Sequence, residues 1–90
     1  MPDSSTSPDA TPEIVVYWRP GCPYCGSLFR QLERHDLAHR RVNIWDDPTA
    51  AATVRSFARG NETVPTVVVG DVGLVNPDVR QILALVAAPE

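Results

Sequence analysis

The first long apolar run, Ile14-Val15-Val16-Tyr17-Trp18, has no polar alternation and so predicts a strand buried on both faces. Arg19-Pro20-Gly21 ends it. Cys25, Leu28, Phe29 and Leu32 then fall at i, i+3, i+4 and i+7, one face of a helix. Pro23 suits that helix's first turn, where an amide has no partner to lose, and the helix should end near His35-Asp36. Arg41 to Trp45 reads as a second strand. Asp47-Pro48 is a cap followed by proline, opening a second helix whose apolar side is Ala50, Val54, Phe57 and Ala58, with Gly60 as its C′ residue. Val64 to Val69 predicts a third strand, and Gly70-Asp71 a tight turn into a short fourth strand ending at Val75. Asn76-Pro77 repeats the cap-plus-proline start, and Val79, Ile82, Leu83 and Val86 supply the apolar face of a last helix. The order β-α-β-α-β-β-α argues for an α/β domain.

Composition narrows this picture without changing it. Residues 1–12, MPDSSTSPDATP, hold almost no core-forming side chain and read as a disordered tail, leaving residues 13–90 as one domain. Net charge is −3 and the basic residues, all arginine, are scattered, so no stripe is laid out for nucleic acid. No apolar run is long enough to span a membrane. The N-terminus lacks the basic start and apolar stretch of a signal peptide, which leads to the expectation of a cytoplasmic protein whose thiols are kept reduced.

The chemistry concentrates at Cys22-Pro23-Tyr24-Cys25, a C-x-x-C at the seam between a strand and a helix. Its spacing lets two sulfurs meet across one helical turn. The first cysteine would sit at the helix N-terminus, where unpaired amides and the helix dipole favour a thiolate, the attacking species in disulfide exchange. The second, one turn in, would be more buried and able to resolve a mixed disulfide. Pro23 removes one competing donor and stiffens the turn. Arg19 brings a positive charge near the sulfur or its substrate.

Three other readings compete on the residues alone. A structural disulfide closing so short a loop would contribute only about 2 kcal/mol, and a cytosolic setting disfavours it. A zinc site could draw on Cys22, Cys25, His35 and His39, but one helix over 23–35 would put His35 roughly 20 Å along the axis from Cys22. The same separation weighs against a Cys–His hydrolase. Both histidines are accounted for as solvated residues at a helix end. Trp18 and Trp45 read as packing residues, and Asp78 as a first-turn acid.

Val16 to Cys25 resembles the active-site segment of glutaredoxins, in which Cys-Pro-Tyr-Cys is the commonest motif. Thr63-Val64-Pro65 is similar to the Thr-Val-Pro that faces the active cysteines in this part of the thioredoxin superfamily. The resemblance covers residues 13–88. It implies a thioredoxin fold, a four-stranded mixed sheet of order 2-1-3-4 flanked by three helices. It implies a redox-active Cys22–Cys25 disulfide, a cis Val64–Pro65 bond, and Val64 backbone groups that pair with a bound thiol like a short added strand. It places Tyr24, with Pro23 and Arg19, along the substrate groove beside Thr63, Val64, Pro65 and Asn76. The implied protein is a monomeric thiol–disulfide oxidoreductase with no bound cofactor and no metal. Its partners are a low-molecular-weight thiol, disulfide-containing proteins and a reductase system.

A finer resemblance is to the actinobacterial mycoredoxins, carried by Asp46 to Ala52, Gly60 to Val67 and Asn76-Pro77, and matched by the arginine-only, alanine-rich composition. Glutaredoxins that hold glutathione carry Gly-Gly before the last helix, whose amides grip the peptide's carboxylate. Val75-Asn76 stands there in this chain, and Pro77 has no amide to give. That favours mycothiol, a sugar thiol without such a carboxylate, over glutathione as co-substrate. Two positions depart from the mycoredoxin pattern: Gly21 where Trp is common, and Glu62 where Arg is common. Two alternatives follow from neighbouring groups. Arg19-Pro20-Gly21-Cys22 is similar to redoxins fed by thioredoxin reductase that supply ribonucleotide reductase, although their Trp-Ser-Gly-Phe-Arg-Pro segment is absent. Other glutaredoxins carry an iron–sulfur cluster between two subunits, although a proline after the first cysteine usually accompanies redox activity instead.

Overall fold

The computed structural model describes residues 12–86. The expected tail therefore lies almost wholly outside the described residues. Seven elements follow in order: β1 (Ile14–Trp18), α1 (Pro23–Arg34), β2 (Arg40–Asn43), α2 (Pro48–Phe57), β3 (Thr66–Val69), β4 (Val72–Val75) and α3 (Val79–Val86). The sheet order is β2-β1-β3-β4, the thioredoxin-fold arrangement that the resemblance implied. β1 runs parallel to β2 and antiparallel to β3, and β4 pairs antiparallel with β3.

The uninterrupted apolar run of β1 is explained by its central place. Ile14 and Val16 face a cluster with Leu28 and Leu32 of α1, Val67 and Val69 of β3, and Val79 and Ile82 of α3. On the other face Tyr17 packs against Ile44 and the Ala50, Ala51 and Val54 stripe of α2. A strand covered on both sides needs no polar alternation. The edge strand β2 differs, with exposed Arg40 and Arg41. Phe57 is partly exposed rather than a core residue, and its ring lies against Gly73 of β4, where no side chain would fit.

Four boundaries depart from the sequence expectation, the simplest being β3, which begins at Thr66 rather than Val64 because the cis Val64–Pro65 segment turns before the strand pairs. β2 stops at Asn43, so Trp45 leaves the sheet and is 64% exposed rather than packed. The cause is a turn in which Asn43 Oδ1 accepts the Trp45 amide at 2.9 Å and the Asp46 amide reaches the Asn43 carbonyl at 3.1 Å. At the end of α2 the left-handed C′ residue is Arg59, φ 57°, and Gly60 follows it, donating to the Arg55 carbonyl at 2.8 Å to close the turn.

The fourth departure concerns α3. Asn76 is not its cap, and Pro77 is not its first residue. Asp78 caps it: Oδ1 accepts the Arg80 amide at 2.8 Å and the Gln81 amide at 3.3 Å, while Gln81 Oε1 accepts the Asp78 amide at 3.0 Å. This reciprocal box satisfies more orphan donors than an Asn76 cap would, so it sets the helix start. Asn76 sits at φ 51°, a left-handed conformation asparagine tolerates, and donates its amide to the Pro65 carbonyl at 2.8 Å.

Candidate active site

The C-terminal end of β1 delivers the chain to the sheet edge where α1 begins. Gly21 takes φ 79°, a left-handed step that a side chain would strain. Cys22 follows in an extended conformation as the N-cap of α1, with Pro23 at N1. Its Sγ accepts the Cys25 amide at 3.1 Å. One of the donors a helix start leaves unpaired is thus aimed at a sulfur. Cys22 and Cys25 are joined as a disulfide, with Cα atoms 5.3 Å apart. The two are unequal in access: Cys25 is 1% exposed, whereas Cys22 is only partly buried.

The segment before β3 meets Cys22 from the other side. Because β3 is antiparallel to β1, its N-terminal end lies at the same sheet edge as Cys22. The Val64–Pro65 bond is cis, and the Val64 carbonyl oxygen is 3.8 Å from Cys22 Sγ. Thr66, fully buried, donates its hydroxyl to the Thr63 carbonyl at 2.7 Å and fixes this turn. Sequence reading passed over Thr66 because a threonine in a valine-rich strand looks like a propensity choice. Thr63 itself lines a depression of about 320 Å³ with Phe57, Asn61 and Val75.

The remaining candidates divide between two flanks. Tyr24, 70% exposed, and Asn76 line a depression of about 190 Å³ with Ser27, Gln31 and Asp78. Arg19 lies on the β2 side, its guanidinium 6.0 Å from the centre of the Trp45 ring, and Nη1 donates to the Pro20 carbonyl at 3.3 Å. Trp18 packs edge-on against Phe29 at 6.0 Å. His39 stacks on the opposite partner of that contact, the Phe29 ring, and Arg41 Nε donates to His39 Nε2 at 3.0 Å. Among the described residues, no group of three His, Cys, Asp or Glu side chains could hold a metal ion. The Asp78 carboxyl is held below its usual value, chiefly by the Gln81 amide, then by the Arg80 amide and guanidinium.

A cysteine held as an N-cap with its partner buried one turn away can take up and release a sulfur by exchange. The sequence profile of the glutaredoxins matches residues 14–74. The chain belongs to the glutaredoxin family. It is 32% identical over 78 residues to Mycoredoxin 1 of Corynebacterium glutamicum, covering 83% of this chain and 94% of the relative. Among solved structures it is similar to the NrdH-redoxin of Escherichia coli, with a TM-score of 0.71, 28% identity, and 86% and 99% of the two chains covered. The glutaredoxin of Brucella melitensis shares the fold, with a TM-score of 0.70, 22% identity, and 93% and 99% covered. As a glutaredoxin, the protein is a thiol–disulfide oxidoreductase whose co-substrate is a low-molecular-weight thiol and whose partners include disulfide-bearing proteins. No helix among the described residues is long and apolar enough to cross a membrane.

Proposed function

We propose that the protein is a mycoredoxin-type enzyme that reduces mixed disulfides between proteins and mycothiol, working as a cytoplasmic monomer. The observation that carries this reading is the start of α3. The amides of Asn76, Asp78, Arg80 and Gln81 all donate within the protein, and Pro77 has none. A glutathione carboxylate arriving there would face a carboxylate, Asp78, and few free donors. Mycothiol has no glutamyl carboxylate and asks for no such grip.

In the reaction, the Cys22 thiolate attacks the mycothiol sulfur of the mixed disulfide. A Cys22–mycothiol bond forms, and the protein sulfur leaves and takes up a proton. A second mycothiol, as thiolate, attacks the mycothiol sulfur held on Cys22, giving mycothiol disulfide and restoring the Cys22 thiolate. Cys25 supplies the other exit by displacing mycothiol to form Cys22–Cys25. The Cys25 amide and the helix start stabilise the sulfur's negative charge. Val64 offers its backbone to the thiol's cysteinyl unit, with Pro65 and Thr63 shaping the turn and Tyr24, Pro23, Arg19 and Asn76 forming the rim.

A second reading rests on the likeness to the NrdH-redoxin: electrons drawn from thioredoxin reductase. One comparison separates the readings: turnover with mycothiol, with glutathione, or with thioredoxin reductase as the electron source. Fastest turnover with mycothiol is expected. Efficient reduction by thioredoxin reductase, with no turnover on mycothiol, would replace the first reading by the second.

A further inference from the structure

We propose that Trp45, with Arg19 beside it, is the platform on which the sugar of the thiol co-substrate stacks, making Trp45 a specificity-determining residue. The inference rests on the sugar-thiol reading above and adds where the sugar lies. Cys22 stands at the end of the central strand, so a bound thiol can extend in two directions: toward β3 and α3, or over β1 toward β2. Toward α3 several of the polar groups are already partnered. Gln31 Nε2 donates to Ser27 Oγ at 3.3 Å, and Asp78 is engaged in its capping box. Toward β2 stands an indole that is 64% exposed and fills no core position.

The backbone that carries that ring is fixed on both sides of the turn. The Trp45 amide is fixed by Asn43 Oδ1, and the Ile44 amide is bound to the Trp18 carbonyl at 2.9 Å. β1 and β2 are parallel, so the residue after β2 and the Arg19–Cys22 segment share one edge. Arg19 bridges them, its guanidinium 6.0 Å from the ring centre. A pyranose has one face of C–H groups and a rim of hydroxyls. An exposed indole covers the first, and guanidinium N–H donors suit the second. The indole asks for no charge on the ligand, so the pairing suits a neutral sugar, although the Arg19 guanidinium would accept a carboxylate as well.

The test uses one peptide carrying a single cysteine in two mixed disulfides, with mycothiol or with N-acetylcysteine amide, which is the sulfur end without the sugars. The readout is the ratio of kcat/KM values. The unaltered protein should prefer the mycothiol form. Trp45→Ala should cut that preference by about five- to tenfold, and Trp45→Phe should retain most of it. Gln31→Ala, on the α3 side, should leave the ratio as it was. A preference untouched by Trp45→Ala overturns the platform alone. A preference lost in Gln31→Ala and kept in Trp45→Ala also overturns it, moving the sugar to the α3 side. Equal losses on both substrates would assign the ring to the peptide and overturn it too. No preference in the unaltered protein would sink the sugar-thiol reading and the platform with it.

Discussion

The helix starts of α1 and α3 each have a proline beside the cap, Pro23 after Cys22 and Pro77 before Asp78, and end in opposite states. At α1 the cap is a sulfur, Cys22, and a backbone amide that a carboxylate would have taken is left to that sulfur. At α3 the cap is Asp78, whose carboxylate and Gln81 partner consume the local donors. α2 resembles α3, with Asp47 Oδ1 accepting the Thr49 and Ala50 amides at 2.9 and 3.4 Å. Every helix start offers positive potential; which one becomes reactive depends on what the cap does with it. A carboxylate cap neutralises the site and stabilises the helix. A thiolate cap turns the same field into a lowered cost for its own ionisation.

The largest expected effect is at the sulfur cap. Cys22→Ser should reduce exchange to the uncatalysed rate, since no other described thiol can attack, whereas Asp78→Ala should leave turnover within about tenfold. Comparable losses in a mycothiol-disulfide assay would erase the contrast between the two helix starts. Next, Cys25→Ser should keep reduction of mycothiol mixed disulfides, because free thiol replaces Cys25 in release. It should lose steps that need Cys25, and protein mixed disulfides should accumulate on Cys22, visible by mass spectrometry. A Cys25→Ser protein as inactive as Cys22→Ser would make the monothiol route untenable.

A third change reopens α3. Asn76→Gly with Pro77→Gly restores an amide at position 77, beside a position 76 whose left-handed φ suits glycine, and should raise kcat/KM for a glutathione mixed disulfide by about tenfold. An unchanged value would place the selectivity elsewhere. A fourth follows the reduced protein's alkylation rate against pH. Cys22 should react as thiolate well below the ordinary thiol value of about 8.5, and Cys25 should not. Equal profiles would remove the asymmetry. The smallest effect is on Asp78. Its folded-state value lies below the ordinary 3.8, so its charge stabilises the folded protein above that pH and the contribution is lost as pH falls through the folded value. Amide chemical shifts of Gln81 and Ile82, followed from pH 6 downward on an order-of-unit grid, should report fraying at the start of α3 only below about 4; an earlier onset would show that another group holds the helix.

Much of this was legible in the chain. Ile14 to Trp18 announces a doubly covered strand because apolar residues on both alternations leave no wet face. Cys25, Leu28 and Leu32 fall on one buried stripe, as the 3.6-residue period requires. The Cys22 cap, the Asp47 cap and the 2-1-3-4 order followed from local chemistry and from the resemblance carried by two motifs. Asn76 misled because cap-plus-proline is a good local signal, and Asp78-x-x-Gln81, two residues on, is a better one.

Covalent order and side-chain chemistry alone indicated the order of the elements, the Cys22-x-x-Cys25 motif and the family, since each depends on neighbours within a few residues or on motif identity. Tertiary structure decided which exposed groups share the sulfur's edge. Trp45 looks like any strand-end aromatic in the sequence, and only the parallel pairing of β1 with β2 sets it beside Arg19. Val64 reaches Cys22 across 42 residues because β3 returns antiparallel to β1. Long-range pairing is fixed by burying both faces of one sheet at once, and no local window of the chain contains that condition.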